Sequence, residues 1–389
     1  MGTPTYSYHR REGANNVSAN DRFAQEGFGV SDTSEEYFRR IVDEEKLAAY
    51  LEGQLGPVDE DDYHVERHQA GHSNETLFVT WGEKQLVIRR PPPGETAENA
   101  HDVLREYEVV DALQDGDVAV PTTVAACDDH DIIGSDFYVM ERTEGDVIRT
   151  EEPERFQTPE HREAIGAELV DRLAEIHQVD YEEIGLGEFG YPEGFTQRQV
   201  KRWSEQLTWA FSVTAEEREV PVLYDVMEWL QENAPEEHPH TLVHGDYKLD
   251  NVMYAPGTPP EINAIFDWEM STLGDPLTDL GWMLSYWWDE KDPDPPNATT
   301  SLNATFMKGD DYLTRQELVA RYEEKTGIEF ENERFYRTLA VYKLAGLGEM
   351  FFRRYLEGNS DDPLYPKMET GVPALADRAM RIIEGEEPL

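Results

Sequence analysis

The segment LVHGDYKLDN, residues 242–251, sets a histidine, two aspartates, a lysine and an asparagine directly behind an apolar pair, and a further acid follows at Asp267 in AIFDWE. Phosphoryl transfer from ATP asks for such a set, because the protein must hold a cation between phosphate oxygens and orient an acceptor hydroxyl. Asp246 can accept the hydroxyl proton. Asn251 and Asp267 offer the hard oxygen donors that magnesium takes, with phosphates and water completing its sphere. Lys248 can reach a transferred phosphate as a point charge. A histidine two residues before an aspartate carries little information by itself, so the weight of this reading lies in the elements around it.

Residues 1–32 are polar, with glycine, serine and asparagine interspersed, and read as a flexible extension. Thr33 and Glu36 have capping-box spacing ahead of YFRRIVDEEKLAAYLEGQL, a helix expected to end near Gly53 or Gly56. YHVERH, TLFVTW and QLVIRR then read as a three-strand meander that PPPG stops. Residues 96–114 read as a helix with Val103, Tyr107, Val110 and Leu113 near one face, and VAVPTTVAAC and FYVMER as strands. Beyond a junction at Glu144 and Gly145 the periodicity is helical. Ile165, Leu169, Leu173 and Ile176 form one stripe, Leu223, Val226, Met227 and Leu230 another, and long helices are expected over 314–326 and 333–357. The order predicts an α+β protein of two lobes, a small antiparallel-sheet lobe at 33–143 and a larger helical lobe at 144–389 that carries the opening motif.

Composition narrows the partners. Against 34 lysines and arginines stand 82 acidic residues, a formal charge of −48 spread over the whole chain. Nucleic acid and anionic membrane surfaces are disfavoured, since both would be repelled. The scarcity of lysine and the excess of acid resemble proteins of salt-loving archaea, where concentrated salt screens self-repulsion. Charge that describes the solvent cannot name a substrate. Cys127 is the single cysteine, which leaves no intrachain disulfide and fits a reducing compartment. With no long apolar run and no signal-peptide core near the start, the expectation is a soluble cytoplasmic protein.

LVHGDYKLDN together with AIFDWEMSTLGDPLTDLGWML resembles the catalytic and metal segments of the aminoglycoside phosphotransferase and choline kinase superfamily, relatives of the protein kinases. The likeness continues in GHSNETLFVTW as the nucleotide loop, LVIRRPPPG as the third strand, LREYEVVDAL as the first-lobe helix and FYVMERTEGDVI as the hinge, over about residues 40–357. RRPPPG, FYVMERTEG and DWEMSTLGDPLTDLGW are most similar to the kinase-like domain that in animals is fused to acyl-CoA dehydrogenases. The resemblance implies a two-lobed protein-kinase-like fold and an ATP- and magnesium-dependent kinase of a small-molecule hydroxyl, a hydroxyacyl compound being one acceptor in view. By it Asp246 is the catalytic aspartate and Asn251 and Asp267 are the metal ligands. Ser73 and Asn74 belong to the nucleotide loop, Glu106 pairs with the basic residue of the third strand, and Met140 to Thr143, including Glu141, meet the adenine through backbone groups. The third-strand position that is lysine in most kinases is Arg89 here, which keeps the charge and changes its geometry.

Other readings compete. An aminoglycoside or choline-type kinase uses the same machinery, and Arg89 prompts a non-catalytic nucleotide-binding module. A protein kinase would carry an APE-type segment where STLGDPLTDLGW stands. A metal hydrolase built on His244, Asp246 and Asp267 lacks a further histidine or cysteine at local spacing. His244 itself reads as a structural ring bonded to loop backbone, Asp275 before Pro276 as a helix cap, and Asp279 as a buried support of the loop. Tyr286, Trp287 and Trp288 read as core more than as a substrate pocket.

Overall fold

The structure of the chain, a computed structural model, describes residues 34–68, 74–93, 102–236, 239–294, 304–360 and 362–389. The expected extension at 1–32, Thr33, Ser73 and the beginning of the helix expected from residue 96 lie outside the described residues.

Two helices, α1 (Ser34–Ile41) and α2 (Glu44–Leu55), stand where one was expected. Asp43 separates them. Its backbone is extended and its carboxylate takes the Lys46 N–H at 3.3 Å, a cap that starts α2 afresh. The meander follows as β1 (Tyr63–His68), β2 (Glu75–Trp81) and β3 (Lys84–Arg90), then α3 (Val103–Leu113), β4 (Thr123–Cys127), the short α4 (His130–Ile133) and β5 (Phe137–Glu141). β4 begins later than VAVPTTVAAC suggests, since Pro121 has no N–H to give to a ladder. These strands form one antiparallel sheet in the order β1-β2-β3-β5-β4.

The alternation of side chains divides the sheet into two faces. Leu77, Val79, Leu86, Ile88, Phe137 and Val139 meet Ile41, Leu47 and Leu51 of the first helices. Phe78, Val87, Tyr138 and Met140 turn the other way, toward Val103 and Tyr107 of α3. Arg89, two residues after Val87, shares this second face, so the strand pattern alone delivers its guanidinium to α3.

The remainder is mainly helical: α5 (Pro159–His177), α6 (Phe195–Thr214) and α7 (Val222–Asn233), then short strands β6 (Thr241–Val243), β7 (Val252–Tyr254), β8 (Ile262–Ile265) and β9 (Thr272–Gly274). It closes with α8 (Leu277–Ser285), α9 (Arg315–Thr326), α10 (Glu333–Leu356) and α11 (Met368–Glu384). α10 packs against α6, α8 and α11 and buries side chains around its whole circumference, the signature of a central helix. Asp275 accepts the Leu277 N–H at 3.0 Å and the Tyr336 hydroxyl at 2.7 Å, so it caps α8 and joins it to α10. Trp287 and Trp288 are core, as expected, whereas Tyr286 is only partly buried. Among the described residues no helix is long and apolar enough to cross a membrane.

Backbone hydrogen bonds tie both the connector just past the sheet lobe and the sheet lobe itself to the body of the helical lobe. Asp146 and Tyr254 exchange both N–H···O bonds, at 2.8 and 2.9 Å, and the Ile265 N–H donates to the Ala119 carbonyl at 2.8 Å. Gly145 makes the crossing possible: its φ is +156°, and a Cβ there would run into the Tyr254 carbonyl and the Met253 side chain. Gly145→Ala is therefore expected to destabilise the protein by roughly 1–3 kcal/mol. Denaturant unfolding checks this, and an unchanged midpoint would show that the connector yields freely.

Candidate active site

Pairing of β6 with β9 and of β7 with β8 brings the loop after β6 beside the loop after β8, with Val243 opposite Thr272 and Val252 opposite Ile265. Residues 244–251 and 266–271 thus face each other across one opening.

The first loop is held by a buried carboxylate. Asp279 of α8 accepts the His244 N–H at 2.6 Å on one oxygen and the Gly245 N–H at 2.8 Å on the other, and His177 Nε2 lies 3.3 Å away. Burial would raise its pKa, but His177 and the backbone donors outweigh that and hold it below the ordinary carboxylate range. Gly245 sits at φ +83°, where a Cβ would strike the Met270 carbonyl, so the second loop packs directly on the first. The His244 ring then ties the two together. Its Nε2 lies 2.9 Å from the Phe266 carbonyl and its Nδ1 accepts the Asp246 N–H at 3.2 Å, a pair that a neutral ring with the proton on Nε2 satisfies. Burial lowers its pKa in the same direction. His244 is a brace, as the sequence suggested.

Asp246 is the centre of the site. Its Oδ2 accepts from Lys248 Nζ at 2.6 Å and from Asn251 Nδ2 at 2.9 Å, and its Oδ1 from Trp282 Nε1 at 2.8 Å. Three of about four lone-pair positions are filled, which leaves room for one further donor. Burial opposes the charge, but Lys248 and Lys343 keep the carboxyl below its ordinary pKa. Asn251 also donates to the Asp246 carbonyl at 2.8 Å, so its amide nitrogen faces the loop and its amide oxygen remains for a cation.

Asp267 has φ +67°, a left-handed conformation that an aspartate adopts at a cost and that turns its carboxylate into the opening. Arg89 Nη2 donates to Asp267 Oδ1 at 3.1 Å, and Arg89 Nε lies 3.1 Å from Glu106 Oε2 as an ion pair. One guanidinium thereby joins β3, α3 and the second loop. Burial pushes the Glu106 carboxyl up to about 7 against the pull of Arg89, with Asp267 and Glu269 adding to the rise. Asp267 is raised too, by burial first, with Glu269 and Asp246 repelling its charge. Carboxylates here outnumber the cations, an environment that a divalent ion would relieve. Asn251 and Asp267 suit magnesium, which takes one or two protein oxygens together with phosphates and water. Among the described residues no group of three histidine, cysteine or acidic side chains forms a metal cage of its own.

Asn74 is buried beside the same opening and donates to Glu269 Oε2 at 3.3 Å, which links the nucleotide-loop candidate to the second loop. The hinge residues are placed differently. Met140 is buried on the α3 face of the sheet, Thr143 follows the end of β5, and Glu141 turns its side chain to Lys84 at 3.5 Å while its N–H donates to Thr122. The Glu141 and Arg142 N–H groups are therefore both engaged already, by the Thr122 and Gln85 carbonyls at 2.8 Å each.

Three contributors were given no role in the sequence reading. Trp282 reaches Asp246 from α8. Lys343 of α10 donates to the Gly245 carbonyl at 2.6 Å and lies 3.9 Å above the Trp282 ring. Arg105, next to Glu106, donates to the Phe189 and Ser271 carbonyls at 2.6 and 3.2 Å and so fastens α3 to the helical lobe. Trp282 falls within the DLGWML segment of the sequence reading, whereas a lone lysine in a distant helix offers no signal.

Comparison with known proteins identifies the family. The model of the phosphotransferase enzyme family, APH, matches residues 64–317. The chain belongs to that family. The human acyl-CoA dehydrogenase family member 11 is 31% identical to this phosphotransferase over 360 residues, covering 88% of the chain and 44% of the human protein. The chain thus spans less than half of that relative. An inferred aminoglycoside phosphotransferase from Ralstonia eutropha JMP134 superposes with a TM-score of 0.75 at 29% identity, covering 88% of this chain and 98% of that one. Choline kinase from Cryptosporidium parvum, at 12% identity and a TM-score of 0.61 over 88% of this chain and 97% of its own, shares the fold.

Removing the Asp279 carboxylate leaves two buried N–H groups without an acceptor. Asp279→Ala is expected to cost on the order of 3 kcal/mol, read as a lowered unfolding midpoint. A loss within about 0.5 kcal/mol would mean that the loop holds its shape unaided.

Proposed function

We propose that this phosphotransferase transfers the γ-phosphoryl group of ATP, with magnesium, to a hydroxyl of a small molecule. Residues 33–143 form the nucleotide lobe and 144–389 the lobe that receives the acceptor. The observation that carries the reading is the convergence of Asp246, bonded to Lys248 and Asn251, with Asp267, joined through Arg89 to Glu106, on one opening.

Asp246 accepts a hydrogen bond from the acceptor hydroxyl at its remaining lone pair. As the hydroxyl oxygen bonds the γ-phosphorus, the bond from phosphorus to the ADP oxygen breaks and the hydroxyl proton passes to Asp246. A carboxylate held at low pKa is a weak base, and it suffices because the hydroxyl loses its proton late in a loose phosphoryl transfer. Its main task is orientation. Lys248, raised in pKa by Asp246 against the effect of burial, stays charged and faces the transferred group. Asn251 and Asp267 would hold the magnesium, which when bound would supply positive charge to neutralise the phosphates. Arg89, fixed by Glu106, contacts the nucleotide phosphates, with Ser73 and Asn74 on the phosphate loop and Met140, Glu141 and Thr143 along the adenine.

The acceptor is a hydroxyacyl compound. The aromatic faces beside Asp246 that would receive a quaternary ammonium already carry cations of the chain: Lys343 over Trp282 at 3.9 Å and Lys248 over Tyr286 at 5.9 Å. Choline or an aminoglycoside would meet like charge there, whereas a hydroxy acid or its thioester would not. The human relative is named as an acyl-CoA dehydrogenase family member, and that name supports an acyl acceptor. The −48 charge suits a salt-rich cytoplasm, so assays belong in multimolar potassium chloride.

Asp267→Ala should weaken Mg–ATP binding and turnover together, whereas Asp246→Ala should leave binding nearly intact and lower turnover by about 100-fold or more. Calorimetric titration of Mg–ATP separates the two, and equal affinity in Asp267→Ala and wild type would remove the metal assignment. Arg89→Ala should raise KM for ATP and lower kcat, with Arg89→Lys retaining part of the activity. Kinetics indistinguishable from wild type would misplace the nucleotide. A mixture of hydroxyacyl thioesters, hydroxy acids, aminoglycosides and choline, offered with Mg–ATP and read by mass shift, should give a phosphorylated hydroxyacyl product. Turnover confined to an aminoglycoside or choline would refute the acceptor class and leave the kinase standing.

A further inference from the structure

Lys343 is a lysine in the middle of a helix packed on every side, close to Asp246 and outside every motif. A charged ammonium in that position is costly unless its hydrogen bonds are well made. Methionine or leucine would pack there at no such cost, so the contacts of the charge deserve an account.

Apart from the Trp203 ring of α6, 5.7 Å from the ammonium, they lead to the carboxylate of Asp246. Gly245, the residue before Asp246, is clamped at both ends, its N–H by Asp279 at 2.8 Å and its carbonyl by Lys343 at 2.6 Å. Trp282, which donates to Asp246 Oδ1, lies beneath the ammonium at 3.9 Å and against the edge of Tyr286 at 5.2 Å. A cation on an indole face draws π density toward itself, which both fixes the ring and strengthens its N–H as a donor. Lys248 and Asn251 hold the other oxygen from within the loop, so the plane of the carboxylate depends on the support that comes from α8 and α10.

We propose that Lys343 is a positioning residue of the phosphotransfer site, gripping the Gly245 carbonyl and the Trp282 face so that Asp246 meets the acceptor hydroxyl in a fixed orientation. The proposal rests on the phosphotransferase reading above. The charged groups around Lys343 are Asp246 and Asp279, which favour its proton, and Lys248 and Arg202, which oppose it. Burial is the largest influence and lowers its pKa to about 8. Lys248 is shifted upward and keeps its proton there. The grip on the loop therefore weakens as pH rises through about 8. Between that value and the ordinary 10.5 the folded chain binds fewer protons here than the unfolded chain, so this group makes the fold more stable as pH rises. Activity is lost in that window without loss of stability from this residue.

The test uses the full chain in multimolar potassium chloride with Mg–ATP, water serving as acceptor, and follows ATP hydrolysis from neutral pH to about pH 9.5. In parallel, the indole ¹⁵N–¹H resonance of Trp282, assigned by its disappearance in Trp282→Phe, is followed over the same range. Wild type should lose activity with a midpoint near 8 while its thermal midpoint holds, and the Trp282 resonance should titrate with the same midpoint. Lys343→Met should lower kcat by about tenfold or more with little change in KM for ATP, and should show neither the alkaline limb nor the titration. Lys343→Arg, charged throughout, should recover part of kcat and lack the limb. Full activity in Lys343→Met, or a Trp282 titration that persists in both variants, would overturn the proposal. Wild type that binds Mg–ATP yet neither hydrolyses it nor phosphorylates the panel would defeat the kinase reading and the proposal with it. That failure is distinguishable, because the indole resonance reports the Lys343 contact without any turnover.

Discussion

The site depends on one buried charge. Asp279 is 1% exposed, and an isolated carboxylate so placed would neutralise rather than stay ionised. It stays ionised because His244 and Gly245 present successive N–H groups to its two oxygens and His177 stands beside it, with the Tyr322 hydroxyl 2.7 Å from the other ring nitrogen. The carboxylate in turn fixes two consecutive peptides of the loop, and the direction of the next residue, Asp246, follows. An apolar residue at 279 would fill the space and leave those peptides free to rotate. The energetic demand of the buried charge is thus what makes the loop single-valued.

The second constraint is electrostatic contrast. Over the chain acid exceeds base by 48 charges, yet Asp246 is bonded to Lys248 and backed by Lys343. Surface acid is screened by salt within a Debye length, whereas groups inside the opening act on one another through protein and are screened far less. The bulk charge can therefore suit the solvent while the cleft obeys a different local balance. Composition reports the bulk charge and is silent on the balance within the cleft.

How much could be read in advance follows from how local each cause is. The strands and most helices were legible because alternation and 3.6-residue stripes are properties of neighbouring residues, and Ile165, Leu169, Leu173 and Ile176 are all buried in α5. The break between α1 and α2 was missed, since Asp43 acts as a cap only through a bond to the Lys46 N–H, and acidic residues are abundant on either side. Asp246, Asn251 and Asp267 were legible as a spaced set, and the structure brings them to one opening. Lys343 and Arg105 were not. Lys343 lies 97 residues after Asp246 in chain order and touches its loop only because α10 is the central helix, a fact of tertiary packing that no spacing encodes. Trp282 was within view, but its indole hydrogen bond could not be told from ordinary burial.

Arginine at position 89 makes sense in the same terms. A lysine has one ammonium at the end of a flexible stem, and directed at Glu106 it would leave Asp267 to be held by something else. The guanidinium divides the work: Nε faces Glu106 on α3 and Nη2 reaches Asp267 at the far side of the opening, each at 3.1 Å. Because the planar group is rigid, the two carboxylates are held at a fixed separation, and α3 is held a second time by Arg105 on the Phe189 and Ser271 carbonyls. The helix of the sheet lobe is thus fastened to the catalytic lobe by two adjacent residues, one from each side of the pairing. A phosphate or magnesium ion entering the opening would compete for Asp267 and Arg89 without loosening α3, since Arg105 does not touch either. In this arrangement the strand arginine can turn from the carboxylate to an entering anion while Arg105 still holds α3 to the helical lobe.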